Sequence, residues 1–215
     1  MKLRKINERD FGLILKQDKR VYPASSPVTE EIISKWYEND PEFGMIYEEN
    51  EKFIGDCIII PLNAKWWTKL IKGKLSESET DEKTIFNNSR DNKIGIHIYH
   101  IEKIDRNMKE FYKIALSDLQ KLINNLKNKN PKLRVIGFSG LCVSSEGINL
   151  FETKFNCKER DYKCPETIIE KDDFKMVVDF HLINKKQKEG WKLINRCKML
   201  ILYPKEKSVV WDYLK

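Results

Sequence analysis

The side chains best suited to metal binding or nucleophilic chemistry are three histidines and five cysteines, and their spacing argues against a metal site. Cys157 and Cys164 have six residues between them, too many for a pair of zinc ligands. His97 and His100 lie in one predicted strand, where alternation puts them on opposite faces. His181 has no evident partner. We therefore predict no metal, and free thiols of the kind found in a reducing cytoplasm.

Common motifs of nucleotide hydrolysis, zinc proteolysis and esterase chemistry do not occur in the sequence. It has no GxxxxGKS/T loop, no HExxH and no GxSxG. Aromatic residues make up 11% of the chain, but they follow the amphipathic periods and form no platform for stacking bases. Nucleic acid is therefore not the expected partner.

The composition is that of a water-soluble globular protein of 215 residues, with 40% hydrophobic and 34% charged residues. No apolar run approaches the roughly 20 residues of a membrane helix. The first residues, MKLRKINERD, have no apolar core of a signal peptide. These features predict a cytoplasmic protein without a membrane partner.

The net charge of +7 is concentrated near the C-terminus. Residues 183–215 contain nine Lys/Arg and three Asp/Glu, a net charge of +6, which leaves +1 for the first 182 residues. This segment could attract nucleic acid, anionic lipid or an acidic partner, or it could be an ordinary solvated surface. It is rich in apolar residues such as Trp191, Met199 and Trp211, so we expect it to complete the folded body.

The first half of the chain alternates strand and helix signals. Residues 3–6 predict a strand, and residues 7–20 a helix with Asp10 as a possible cap. Residues 25–41 predict a second helix, capped by Ser26, with Pro27 at the first helical position. Two strands then flank Asn50-Glu51 as a hairpin. Residues 63–93 interrupt this order with a short helix and an acidic loop, a length that is usually functional or disordered.

The second half contains the strongest strand and the longest helix. Residues 93–104, KIGIHIYHIEKI, form the predicted fourth strand, followed by a helix from about Met108 to Leu126 and a fifth strand at residues 133–143. A short helix follows, and then strands at residues 158–164 and 174–183. MLILY within the last segment predicts a buried strand, and VVWDYL a final strand or helix.

This order predicts an α/β fold in which helices flank a mixed central sheet. There is no repeat and no linker rich in Pro, Gly or Ser. We therefore divide the chain into a domain at residues 1–182 and a C-terminal extension at residues 183–215 that packs on the same domain.

In this element order the sequence resembles the GNAT (Gcn5-related) N-acetyltransferases, over residues 1 to about 182. The local likeness lies in the segments KLRKINERDFGLILK, IIIPLNAKWWTKLIKGKLSESE and GINLFETKF. The last resembles the family's step from strand five to the next helix, which usually contains a leucine-tyrosine pair. The resemblance implies a GNAT-like sheet with an insertion between strands three and four.

The resemblance also implies acetyl-CoA as the cofactor. In the family, parallel strands four and five separate, and the pantetheine arm lies between them against freed backbone, which here is Tyr99, Ile101 and Glu102. The pyrophosphate rests on the next helix N-terminus. The matching window is Arg106, Asn107, Met108, Lys109, Glu110 and Phe111, in which Arg106 matches and Lys109 and Phe111 replace small residues. Ser144 stands where an asparagine commonly meets the cofactor.

The catalytic groups that the resemblance implies lie close to this cleft. Glu102 and His100, at the end of the fourth strand, are candidate bases for the acceptor amine. The family's tyrosine acid is replaced by Phe151, so Tyr112, Tyr162 or water would protonate the departing thiolate.

We therefore expect an acetyl-CoA-dependent N-acetyltransferase that acts on a primary amine by direct attack on the thioester. The acceptor would be a small molecule or a peptide, and a homodimer is possible. The alternative is a catalytically degenerate GNAT-fold protein that binds a ligand or partner. The insertion would form a wall or lid on the acceptor side, with residues 76–82 exposed, or a loop whose tryptophans cover one end of the sheet.

Overall fold

The structure is a computed structural model that describes residues 1–23, 27–38, 40–104, 108–160 and 162–214. Ten strands are found in these ranges: β1 (Lys2–Lys5), β2 (Gly44–Glu49), β3 (Lys52–Asn63), β4 (Lys93–Lys103), β5 (Arg134–Cys142), β6 (Lys158–Glu159), β7 (Glu166–Lys171), β8 (Phe174–Asp179), β9 (Lys192–Arg196) and β10 (Lys198–Leu202). The α-helices of the same ranges are α1 (Glu8–Val21), α2 (Glu30–Tyr37), α3 (Ala64–Leu70), α4 (Phe111–Lys129), α5 (Ser145–Asn149), α6 (Ile183–Lys188) and α7 (Val209–Leu214).

Seven strands form one central sheet in the order β1-β2-β3-β4-β5-β10-β6. Only the pair β4 and β5 is parallel within this sheet, and the other neighbours are antiparallel. Helices flank the sheet on both faces. This confirms the predicted α/β class with a mixed sheet, and the parallel fourth and fifth strands agree with a GNAT-like architecture.

The positions of two sheet residues show that the helices lie on opposite faces. A Cβ at Gly44 would meet Tyr37 from the end of α2, whereas Asp118 from α4 accepts a hydrogen bond from the Tyr47 hydroxyl at 3.3 Å. Gly44 and Tyr47 are three residues apart in β2, and side chains at that spacing point to opposite sides. Helix α2 therefore covers one face and α4 covers the other, and α1 packs against α2.

Short-range signals explain how the first elements begin and turn. Asn7 caps α1, and Asp10 completes a capping box by accepting from the Asn7 backbone N–H at 2.9 Å. The prediction of Asp10 as the cap was therefore wrong by three residues. Asn50 and Glu51 both adopt positive φ, of 49° and 63°, which matches the turn of a two-residue hairpin.

The start of α2 also differs from the prediction. Thr29 is the cap, its Oγ1 accepting from Ile32 N at 3.3 Å, so Pro27 precedes the helix and is not its first residue. Ser26 lies outside the described residues. A threonine followed by two glutamates competes with the Ser-Pro signal, because the acidic pair favours the positive end of the helix dipole.

The insertion at residues 63–93 packs into the core through Trp67. A Cβ added at Gly95 or Gly137 would come within 2.1 or 2.0 Å of the Trp67 ring, so both strands need glycine where the indole lies. The Trp67 Nε1–H donates to Ser139 Oγ at 2.9 Å. Residues 76–82 are not simply exposed as expected, because Thr80 is buried and accepts from Trp36 Nε1 at 2.6 Å.

Residues after β6 form a second, smaller sheet in the order β8-β7-β9. The predicted strand at residues 158–164 shrinks to two residues, and the one at residues 174–183 ends at Asp179. Strand β7 was not predicted. Its hairpin turn uses Asp172 and Asp173 at positive φ, a pair that gives a weaker turn signal than Asn-Gly or Asp-Gly.

The segment after residue 182 contributes to both sheets. Strand β9 joins the small sheet, β10 lies between β5 and β6 in the central sheet, and α7 packs against α4. MLILY is therefore a buried strand, as predicted, and VVWDYL is a helix. The division of the chain at residue 182 into two units stays a prediction.

Candidate active site

The cleft begins where β4 and β5 separate. The two strands pair from Lys93–Arg134 to Ile98–Gly140, after which β4 continues to Lys103 without β5 beside it. From Tyr99 to Glu102, the backbone groups of β4 on the β5 side have no strand partner among the described residues. A cavity of about 510 Å³ lies in this gap.

A β-bulge coincides with the separation. Ile58 of β3 pairs with His100 and Ile59 pairs with Ile98, so Tyr99 is an extra residue in β4. The bulge shifts the alternation by one residue, and His100 therefore lies on the same face as His97. The predicted placement on opposite faces was wrong, because a bulge leaves no mark in the alternating sequence.

The two histidines nevertheless have separate partners. His97 Nδ1 contacts Ser139 Oγ at 2.9 Å and its Nε2 contacts Glu77 Oε1 at 2.7 Å. His100 Nδ1 contacts Asp56 Oδ1 at 2.7 Å. Within the described ranges no group of three or more His, Cys, Asp or Glu side chains could hold a metal ion.

Most of the predicted site residues border the 510 Å³ cavity. They are Tyr99, His100, Ile101, Glu102, Glu110, Phe111, Tyr112 and Ser144. Met108 packs partly buried against the core and Lys109 is exposed, but neither borders the cavity. Arg106 and Asn107 lie outside the described residues. The structure thus brings most of these residues to one place, and their roles stay predictions.

Phe111 does not block the cleft, because its side chain turns into the core. It is only 5% exposed, and its ring meets the Tyr47 ring edge-on at 5.0 Å. Glu110 precedes α4 with φ of 54° and its carboxylate pairs with Lys113 at 2.6 Å. Among the described residues no side chain caps this helix N-terminus, and the first N–H groups of a helix attract anions.

Ser144 and Phe151 form the opposite wall. Ser144 caps α5, with its Oγ accepting from Gly147 N at 3.0 Å. The Phe151 ring stacks on Phe138 at 5.7 Å and lies where a Cβ at Gly140 would be. Phe151 therefore packs as a core residue and cannot supply a proton.

The two candidate bases are held in a charged network. The pKa of His100 is raised to about 9, because the Asp56 carboxylate, aided by Glu102 and Asp18, outweighs the opposing effect of burial. Glu102 Oε1 accepts from Arg20 at 3.0 Å and its Oε2 lies 3.7 Å from His100 Nε2. At neutral pH His100 is therefore a cation, and Glu102 lies between two positive charges.

A second cavity of about 650 Å³ lies beyond Tyr99. The insertion forms part of its wall with Leu70 and residues 73–79, and the small-sheet region contributes Cys164, Pro165 and Glu166. Among the described residues, Asp18, Tyr99 and Leu141 border both cavities. The two spaces therefore meet at the bulge in β4.

Sequence reasoning missed Asp18, Glu77, Glu79 and Glu166, the carboxylates that line this second cavity. The sequence contains one indication for Asp18, because this residue continues the helical spacing of Phe11 and Ile14 on the apolar stripe of α1. Burying a carboxylate at such a position costs free energy unless the group is paired or hydrogen-bonded. Nothing in the sequence indicated that Glu77 or Glu166 would face the same cavity.

Comparison with known proteins gave matches among solved structures, whereas no protein-family model and no curated protein matched. Arabidopsis thaliana Naa50, in complex with the bisubstrate analogue CoA-Ac-MVNAL, has a TM-score of 0.46 at 8% identity, covering 94% of this chain and 97% of that chain. Arabidopsis thaliana NAA60, in complex with acetyl-CoA, has a TM-score of 0.46 at 10% identity, covering 94% and 98%.

An N-acetyltransferase from Staphylococcus aureus Mu50 has a TM-score of 0.42 at 15% identity, covering 94% of this chain and 97% of that chain. The GNAT-like architecture described here rests on this chain's own strand order and on the separation of β4 from β5. None of the helices in the described ranges is long and apolar enough to cross a membrane.

Proposed function

We propose that this protein is an acetyl-CoA-dependent N-acetyltransferase whose acceptor is a primary amine. The observation that carries the proposal is the gap between β4 and β5, which opens into one cavity and meets a second cavity at Tyr99. A transferase of this kind needs separate spaces for donor and acceptor that converge at the reacting carbon.

The acyl donor would occupy the 510 Å³ cavity. On the side that faces away from β3, the backbone of β4 from Tyr99 to Glu102 could hydrogen-bond to an extended amide-containing chain, in the way that a sheet edge takes up an additional strand. Its N–H groups could also polarise the thioester oxygen. The phosphates would lie at the N-terminus of α4, near Lys109, because the first N–H groups of a helix attract anions. Bound acetyl-CoA would supply the activated acyl group.

The acceptor would occupy the 650 Å³ cavity. Its wall contains several carboxylates and Lys74 as a cation, which suits a ligand that arrives as an ammonium ion. Both a small amine and a peptide N-terminus meet this description. The insertion would then act as the acceptor-side wall.

The predicted catalytic residues fit this scheme in altered roles. His100 is protonated at neutral pH, so it would hold Glu102 and the end of β4 in place and would not act as the base. Tyr112 borders the donor cavity and Tyr162 the acceptor cavity. Either hydroxyl could protonate the departing thiolate.

A second candidate function is a catalytically degenerate protein that binds an acyl-CoA or a partner without transfer. The specific observation in its favour is Phe151, which is buried against Phe138 where the GNAT pattern has a tyrosine. Such a protein would keep the donor cavity and lose the chemistry.

Calorimetric titration with acetyl-CoA, followed by an assay of thiol release with a panel of amines, separates these possibilities. We expect a dissociation constant in the micromolar range, about −8 kcal/mol, and thiol release with at least one amine. Binding without release from any amine would favour the second candidate. No heat at millimolar acetyl-CoA would contradict the donor site itself.

A further inference from the structure

Asp18 lies where the two cavities meet. Tyr99 and Leu141 also border both cavities. Of these three residues, only Asp18 has a side chain that can take up a proton near neutral pH. Asp18 therefore lies between the space proposed for the amine and the space proposed for the acyl donor.

The Asp18 carboxyl interacts with the Tyr99 hydroxyl, which favours the charged form of the carboxyl. Among the described residues it makes no ion pair with Lys or Arg; the charged or titratable groups around it are Tyr99, Glu77, His100 and Lys19. The Tyr99 hydroxyl is buried beside this carboxyl but makes no hydrogen bond of ordinary geometry to any described residue. The Asp18 carboxyl and the Tyr99 hydroxyl therefore both lie where the two cavities adjoin.

The other carboxylates near the junction are engaged. Glu77 Oε1 contacts His97 at 2.7 Å, Glu166 accepts a hydrogen bond from the Tyr22 hydroxyl, and Glu102 is held by Arg20. Asp56 is fully buried against His100. Taking up a proton would weaken a contact that each of these carboxylates already makes.

We infer that Asp18 is the general base of the transfer reaction and takes the proton from the acceptor ammonium ion as it enters the junction. This inference rests on the proposed function, and it assigns the base to α1 in place of the end of β4.

The protonation behaviour of Asp18 agrees with this role. Burial, with a smaller contribution from the Glu77 carboxylate, raises its pKa to about 6, against the opposing effects of Tyr99, His100 and Lys19. A carboxylate with such a pKa is mostly ionised at pH 7 and is also a stronger base than an exposed aspartate. General bases work best when their pKa lies near the working pH.

The ammonium nitrogen gives one proton to Asp18 Oδ and becomes a neutral amine, whose lone pair forms the C–N bond to the acyl carbon. The C–S bond breaks and its electron pair leaves with sulfur. The nitrogen's second proton passes to that sulfur, giving the amide and the free thiol. Asp18 then returns its proton to solvent.

The test compares the wild type with Asp18→Asn, Asp18→Glu and the control Asp212→Asn, which makes the same change on the exposed face of α7. Carboxyl ¹³C NMR of aspartate-labelled protein, without any substrate, should show one resonance that titrates near pH 6. We expect that resonance to vanish in Asp18→Asn and to persist in Asp212→Asn. A signal that persists in Asp18→Asn, or no such signal in the wild type, would overturn the inference.

The pH profile of kcat/KM is the second measurement. In the wild type we expect kcat/KM to fall as the pH drops below 6. In Asp18→Asn we expect kcat/KM to be lower by roughly 10²–10⁴-fold and no longer to fall below pH 6. The affinity for acetyl-CoA should be unchanged. In Asp18→Glu, kcat/KM should still fall as the pH drops below 6. If the wild type transfers acetyl groups and Asp18→Asn follows the same profile within threefold, the role of Asp18 fails and the proposed function stands. If the wild type acetylates no amine, both fail.

Discussion

At the scale of single residues, the pair His100 and Asp56 dominates the electrostatics beside the cleft. Asp56 is fully buried, its Oδ1 contacts His100 Nδ1 at 2.7 Å, and its Oδ2 has no partner among the described residues. An ionised carboxylate in such a place needs a cation beside it. The imidazolium therefore serves the fold as well as the site.

This pairing predicts a pH-dependent stability. The pKa of His100 is about 9 in the folded state against 6.5 for an ordinary histidine, so its contribution is complete below pH 6.5 and is lost as the pH rises through 9. Urea unfolding of the wild type relative to His100→Asn should show an advantage that shrinks by on the order of 2 kcal/mol across this range.

The exposed His181 supplies the control, since His181→Asn should leave the pH dependence of the wild type unchanged. Asp18 titrates at a lower pH, because its pKa is raised from 3.8 to about 6. Most of its own effect on stability therefore falls below the histidine range. Curves for the wild type and His100→Asn that run parallel from pH 6.5 to 9 would contradict a buried imidazolium.

At the scale of elements, the sequence predicted those parts whose signal is local. Strand β4 and helix α4 follow clear periods of two and 3.6 residues, and Asn130 ends α4 as expected. The bulge at Tyr99 was not predictable, because it adds a residue without altering the composition of β4. Asp18 and Tyr99 are 81 positions apart in sequence, and only the folded sheet brings them together. The residues that border the 510 Å³ cavity were therefore easier to find from the sequence than the carboxylates of the 650 Å³ cavity.

The N-terminus of α4 gives a test of the donor site. Lys109 is exposed one residue before Glu110, the residue that precedes the helix, so Lys109→Glu places a negative charge where the phosphates would lie. We expect acetyl-CoA to bind at least about tenfold more weakly, or 1.4 kcal/mol, in a calorimetric titration. Lys129→Glu, at the far end of the same helix, should bind like the wild type. Equal dissociation constants for Lys109→Glu and the wild type would place the phosphates elsewhere.

The contact of the insertion with the sheet gives a test of its structural role. A methyl group at Gly137 would lie 2.0 Å from Trp67, so Gly137→Ala must displace the indole and weaken its hydrogen bond to Ser139. We expect a loss of about 1–3 kcal/mol in unfolding free energy, measured by urea denaturation. Gly12→Ala, on the exposed face of α1 with 3.5 Å of space, should be neutral or stabilising. A Gly137→Ala protein as stable as the wild type would show that the insertion is not anchored in this way.

At the scale of the whole molecule, the C-terminal segment closes the structure that the earlier part begins. β10 hydrogen-bonds to β5 on one side and β6 on the other, and Leu200, Ile201 and Leu202 are almost completely buried. The same segment supplies β9 to the small sheet, which contributes to the wall of the 650 Å³ cavity. The excess of positive charge near the C-terminus therefore belongs to a folded surface.

Ending the chain after Leu182 should consequently destroy the fold. The truncated protein loses β9, β10 and α7, which exposes the edge of β5 and the apolar face of α4, and an open edge of this kind promotes aggregation. We expect it to be insoluble or to lack a cooperative melting transition in circular dichroism. As a matched control, a protease site inserted between Asp172 and Asp173, at the exposed turn between β7 and β8, should allow cleavage while the two fragments remain associated and melt cooperatively. A truncated protein that is soluble and melts at the wild-type temperature would show that residues 183–215 are a detachable arm.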